Sequence, residues 1–160
     1  MSRPLPLSRA DARQWLRLRQ LRVQRARQAL AQAQAAQEQA LAAIRAREAS
    51  IARHRTSIVE LALHWSGPGS ADMPRWGRQV QAHGEALAEK LERDEYALLD
   101  ERETLEQAQA LLGQRRADLA RAQAREDAVD ATLKDQARQI RQAHEQQAEL
   151  EAEEAQRALH

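Results

Sequence analysis

The five histidines, His54, His64, His83, His144 and His160, are the side chains best suited to metal ligation or proton transfer near neutral pH. His64 and His83 flank the single strong turn signal, so a two-histidine site across that turn is conceivable. No second pair or acidic helper stands at ligand spacing, and surface histidines are the expectation. The chain has no cysteine, which removes disulfides, thiolate metal sites and cysteine nucleophiles together. It carries no HExxH motif, no phosphate-binding glycine loop and no nucleophile elbow. The expectation is a protein that is not an enzyme, with no catalytic residue, no bound metal and no cofactor.

What remains is chemistry of charge and apolar area. Arg13, Arg17, Arg19, Arg22, Arg25 and Arg27 crowd the start of the chain. Such a run can bind nucleic acid, but these arginines surround the helix instead of forming one stripe, and no aromatic platform accompanies them. Acidic neighbours, within the chain or on a protein partner, are the better fit, and no nucleic acid is expected. Trp65 and Trp76 flank the turn and are expected to form an aromatic clamp there, or to anchor a partner.

These residues must be positioned by long helices. Leu16, Val23, Leu30, Gln37, Ile44, Ile51, Ile58 and Trp65 recur every seventh residue before the turn. Leu91, Leu98, Leu105, Leu112, Leu119, Glu126, Leu133 and Ile140 do so after it. A seven-residue apolar repeat sustained this long specifies a left-handed coiled coil. Companion series run beside each: Ala26, Ala33, Ala40, Arg47, His54 and Leu61 in the first, and Val80, Leu87, Asp94, Glu101, Ala108, Arg115, Ala122 and Val129 in the second. Aromatics make up 2% of the 160 residues and charged residues 31%, as expected of long helices and not of a layered core.

The break is Ser66-Gly67-Pro68-Gly69-Ser70-Ala71-Asp72-Met73-Pro74, where Gly67 can take a left-handed cap and Pro68 stops the helix. The fold class expected is all-α: a long antiparallel two-helix coiled-coil hairpin, the second helix longer. Residues 1–7, with Pro4 and Pro6, read as an extended arm, and 8–65 as the first helix, with Ser8 as its cap and Asp11 in its first turn. Residues 66–75 form the turn, Asp72 being a candidate cap, and 76–159 the second helix.

The net charge of +1 hides a gradient: residues 1–60 balance at +8, 61–110 at −5 and 111–160 at −2. Oppositely charged segments suggest that the first helix pairs with the second in one molecule, as a monomer. The favoured register pairs residues whose numbers sum to 145. It sets Ala26 on Leu119, Ala33 on Leu112 and Ala40 on Leu105, and pairs Arg19 with Glu126. A register summing to 138 puts Arg19 on Leu119 instead. Either leaves an overhang from about residue 138, still carrying Ile140, Ala143 and Leu150. That overhang is a frayed acidic tail or a helix that docks on another protein. No run of about 18 apolar residues is present to insert in a membrane, and a cytoplasmic protein is the expectation.

An Arg-rich start (WLRLRQLRVQRARQAL), a long helix, one break and a longer acidic helix (KLERDEYALLDERETLEQAQ) resemble the type III secretion stalk proteins. These are the YscO/SctO group of injectisomes and their flagellar relative FliJ. LERDEYALLDERE and ARAQAREDAVD are most similar to the Hrp-type systems. The resemblance implies a hairpin like the central shaft of rotary ATPases. Its end bearing both termini inserts into a hexameric secretion ATPase, and the stalk links the ATPase to an export-gate protein at the inner membrane. Some members bind secretion chaperones. Arg13, Arg17 and Arg22, with Ile140 and Leu150 in the overhang, would then face the ATPase. Trp65, Trp76 and Tyr96 are the aromatics available for an export-gate or tip contact. The competing class is a self-associating coiled-coil scaffold or adaptor.

Overall fold

The computed structural model describes residues 8–160, so the arm expected over 1–7 lies outside the described residues. Helix α1 spans Arg9–Ser66, a 3-10 turn spans Ser70–Asp72, and helix α2 spans Met73–Ala158. The fold is an all-α helical hairpin with the second helix the longer: 58 against 86 residues. Helix formers dominate both, and α1 has no internal Gly or Pro. Ser8 caps the start of α1. Asp11 N donates to Ser8 Oγ at 3.1 Å, and Ser8 Oγ donates to Asp11 Oδ2 at 2.7 Å.

The chain divides into two compact units, Ala31–Gln114 and Met1–Leu30 with Arg115–His160. In the unit 31–114, burial recurs every third and fourth residue along both helices. Ala33, Ala40, Ile44 and Ile51 of α1 and Leu87 and Leu112 of α2 form its core. The alanines let the two backbones approach, while the larger residues fill the space beside them. Gly84 lies against Leu61, where an added Cβ would sit 3.6 Å from Leu61 Cδ2. Arg47 bonds both Asp94 and Glu101, which flank Leu98. These contacts belong to the register summing to 145 and not to the one summing to 138.

The turn differs from its expected chemistry. No glycine has a positive φ, so Gly67 provides no left-handed cap. Instead the helix end is closed by His64 O, which accepts from Gly67 N at 3.3 Å and Gly69 N at 2.8 Å. Ser70 N to Gly67 O and Asp72 N to Gly69 O then wind the 3-10 turn, and α2 begins at Met73. Gly69 is required for space: a Cβ there would fall 2.9 Å from Trp65 Cε3 and 3.0 Å from His64 Nε2. Pro74 sits in the first turn of α2, where its missing N–H costs nothing.

In the terminal unit, Val23 and Val129 are buried, and Leu16, Ala26, Leu30, Leu119 and Leu133 are half-buried. From residue 137 to residue 160 every side chain is exposed, although α2 remains helical to Ala158.

Candidate interaction surfaces

A polar cluster interrupts the apolar seam of the unit 31–114. Arg47 places Nη1 2.9 Å from Asp94 Oδ1, and its Nη2 and Nε 2.9 and 3.1 Å from Glu101 Oε1. One guanidinium thus ties together carboxylates one heptad apart on α2. Asp94 Oδ2 accepts from Ser50 Oγ at 2.6 Å and stands 3.1 Å from His54 Nε2. The Ser50 hydroxyl, and after it Arg47, hold the Asp94 carboxyl below the usual carboxylate range against the opposing effect of burial. The same two carboxylates push Arg47 higher still, Glu101 contributing more. Glu101 Oε2 is buried without a hydrogen-bond partner, so Arg47 is what makes that carboxylate tolerable. His54 belongs to this cluster and not to the open surface, its side chain being 22% exposed.

Beside the cluster, Ile51, Ala52 and Leu98 floor a shallow groove between α1 and α2, with Tyr96 and Leu99 on its wall. Its rim carries two inter-helix ion pairs, Arg55 with Glu95 at 3.0 Å and Arg102 with Glu48 at 3.8 Å. Tyr96 is 65% exposed and Leu99 59%, so both present free apolar surface.

At the turn the expected pairing of Trp65 with Trp76 does not form. Trp65 meets His64 edge-on, with centroids 5.1 Å apart, and packs over Gly69. Trp76 instead lies under the Arg75 guanidinium, 5.2 Å from its ring centroid, and is 42% exposed. The difference follows from where α2 begins. Starting at Met73, it puts Trp76 on an outward position, while Trp65 occupies the last seam position of α1. Among the described residues no group of three or more His, Cys, Asp or Glu is placed to hold a metal ion.

The terminal unit also departs from expectation. Arg19 and Glu126 are both half-buried, yet they form no ion pair with each other. None of Arg9, Arg13, Arg17, Arg19, Arg22, Arg25 and Arg27 takes part in the ion pairs of the described residues. Those of this unit all run along α2: Arg115 and Arg121 to Asp118, Lys134 to Asp130, Arg138 to Asp135. Asp130 accordingly raises the Lys134 ammonium above its ordinary value. Bases of α2 three and four residues away claim Asp118, Asp130 and Asp135 without bridging two helices, while Glu126 and Asp127 enter no ion pair among the described residues. Arg19 and Arg22 line a groove with Arg121, Arg125 and Asp118, whose carboxylate is engaged by Arg115 and Arg121, so basic groups outnumber acidic ones there.

Arg13, Arg17 and Arg22 are exposed, and so are Ile140 (51%) and Leu150 (60%). All five belong to the terminal unit. Among the described residues no helix is long and apolar enough to cross a membrane. Comparison with protein-family models, with curated proteins and with solved structures finds no match for this chain.

Proposed function

We propose that this chain is the non-catalytic central stalk of a type III secretion ATPase complex. In this reading its terminal unit inserts into a hexameric secretion ATPase, and its remainder couples that ATPase to an export-gate protein, with secretion chaperones as further partners. It acts in the cytoplasm, peripheral to the secretion apparatus at the inner membrane. The observation that carries the reading is one of unmet charge. Seven arginines between residues 9 and 27 find no ion-pair partner among the described residues, in the unit that also ends in an uncovered helix. A basic surface beside an exposed apolar stripe suits an acidic protein partner. Association would begin electrostatically and weaken with salt. The exposed Tyr96 is the side chain available for the export gate, Trp76 for a contact near the turn.

The test is ATP hydrolysis by the cognate hexamer with purified full-length chain. The expected result is stimulation that Arg13→Glu, Arg17→Glu and Arg22→Glu together abolish while helicity is kept. Hydrolysis unchanged by the folded wild-type chain defeats the proposal.

A further inference from the structure

Two exposed faces of the terminal unit complement each other. The first is the overhang. Ile140, Ala143, Gln147 and Leu150 continue the three- and four-residue spacing of Val129, Leu133 and Gln136, so their stripe lies on the face of α2 that holds α1. Glu151 and Glu154 border it, and residues 143–156 contain five glutamates and no Lys or Arg. The second is the outward face of α1, opposite its seam, where Leu18 (51% exposed) and Leu21 (44%) stand between Arg17, Arg22 and Arg25.

We infer that a second copy of this chain covers both faces, each copy laying its overhang on the outward Leu18–Leu21 face of the other's α1. Setting Leu150 on Leu21, with the overhang parallel to α1, brings Gln147 to Leu18, Glu151 to Arg22 and Glu154 to Arg25. Leu150 then meets Leu21, and Glu151 and Glu154 each meet an arginine lacking an ion pair among the described residues. The symmetry also closes. An overhang parallel to the partner's α1 is antiparallel to the partner's α2, as a two-fold axis across the helices requires, so the contact is made twice and ends there. Because the stripe faces the side that α1 occupies, the partner's α1 fits in line beyond the first copy's own. The contact is small and charged at its edges, so a dissociation constant of about 10–100 µM, falling apart with added salt, is expected. If the stalk reading holds, and this consequence rests on it, the dimer caps the ATPase-binding end of the free chain.

The absence of native cysteine makes the test clean. Full-length Leu21→Cys chains mixed with Leu150→Cys chains should form a disulfide-linked pair under mild oxidation at least about tenfold faster than Leu63→Cys mixed with Leu150→Cys. Sedimentation should show Glu154→Arg weakening the dimer and added Arg25→Glu restoring it. Equal cross-linking rates, or a single-chain mass at several times the upper concentration given above, overturn the inference. The two proposals fail separately. A monomer that still stimulates the ATPase removes only the dimer, and a dimer without any stimulation removes only the stalk. The Leu18→Ser/Leu21→Ser chain should be monomeric.

Discussion

The two units treat charge in opposite ways. In 31–114 the ion pairs that hold the helices together cross from α1 to α2: Arg47 to Asp94 and Glu101, Arg55 to Glu95, Arg102 to Glu48. In the terminal unit every ion pair of the described residues runs three or four positions along α2, and the arginines of α1 are left out. One unit uses charge to tie its two helices together, and the other leaves the arginines of α1 without a partner on α2 among the described residues.

The widest separation should appear on truncating apolar side chains. Ile51→Ala empties a position that is 5% exposed and should cost about 2–5 kcal/mol in chemical denaturation. Leu150→Ala, on the overhang, should stay within about 0.5 kcal/mol of wild type. A large loss from Leu150→Ala would mean that the overhang is covered within the chain.

Charge removal should follow the same division with a smaller effect. Arg47→Met leaves Asp94 and Glu101 without their shared guanidinium in a half-buried seam and should lower the thermal midpoint. Arg13→Glu, Arg17→Glu and Arg22→Glu together should leave that midpoint nearly unmoved. If both variants melt like wild type, the contrast in pairing has no energetic content.

The pH dependence sharpens the point further. Asp94 has a folded pKa below its unfolded one, so its contribution is present in full above the ordinary carboxylate range and is lost as pH falls through the folded value. Thermal midpoints followed from pH 7 downward should therefore fall in acid, and Asp94→Asn should flatten that slope. An unchanged slope would detach the cluster from stability. Smallest of all, Gly113→Ala adds a Cβ that meets nothing within 4 Å, and should stabilise α2 by about 0.5–1 kcal/mol.

Much of this fold was legible in the heptads, because a seven-residue repeat on each side of one Gly/Pro break has few solutions other than a hairpin. The alternation of alanine with leucine also pointed to the register that the contacts follow. The seam charges were harder. Arg19 and Glu126 stood out because each interrupts a leucine series, whereas Arg47, His54, Asp94 and Glu101 sit in companion series that are already mixed. Aligning those series in the favoured register puts Arg47 between the two acids, so the signal is present in the sequence. The turn could not be read correctly from residue type. Gly69 is needed for the space Trp65 takes above it, and steric need of that kind depends on a neighbour's placement, not on local propensity. Nor does a charge gradient distinguish acids that reach across helices from acids that bases on their own helix claim first.

The uncovered stretch after residue 136 has a kinetic meaning as well. Starting a helix is the slow and unfavourable event, since several residues must order before the first bond forms. Residues 137–158 never face that step, because they prolong a helix begun at Met73 and held in place by α1 up to Gln136. A ligand arriving at Ile140 and Leu150 meets a surface whose backbone is already shaped. Its rate of capture should then be set by encounter and orientation and not by folding. Amide exchange should show the same asymmetry, with protection fading steadily toward Ala158 instead of dropping at one boundary.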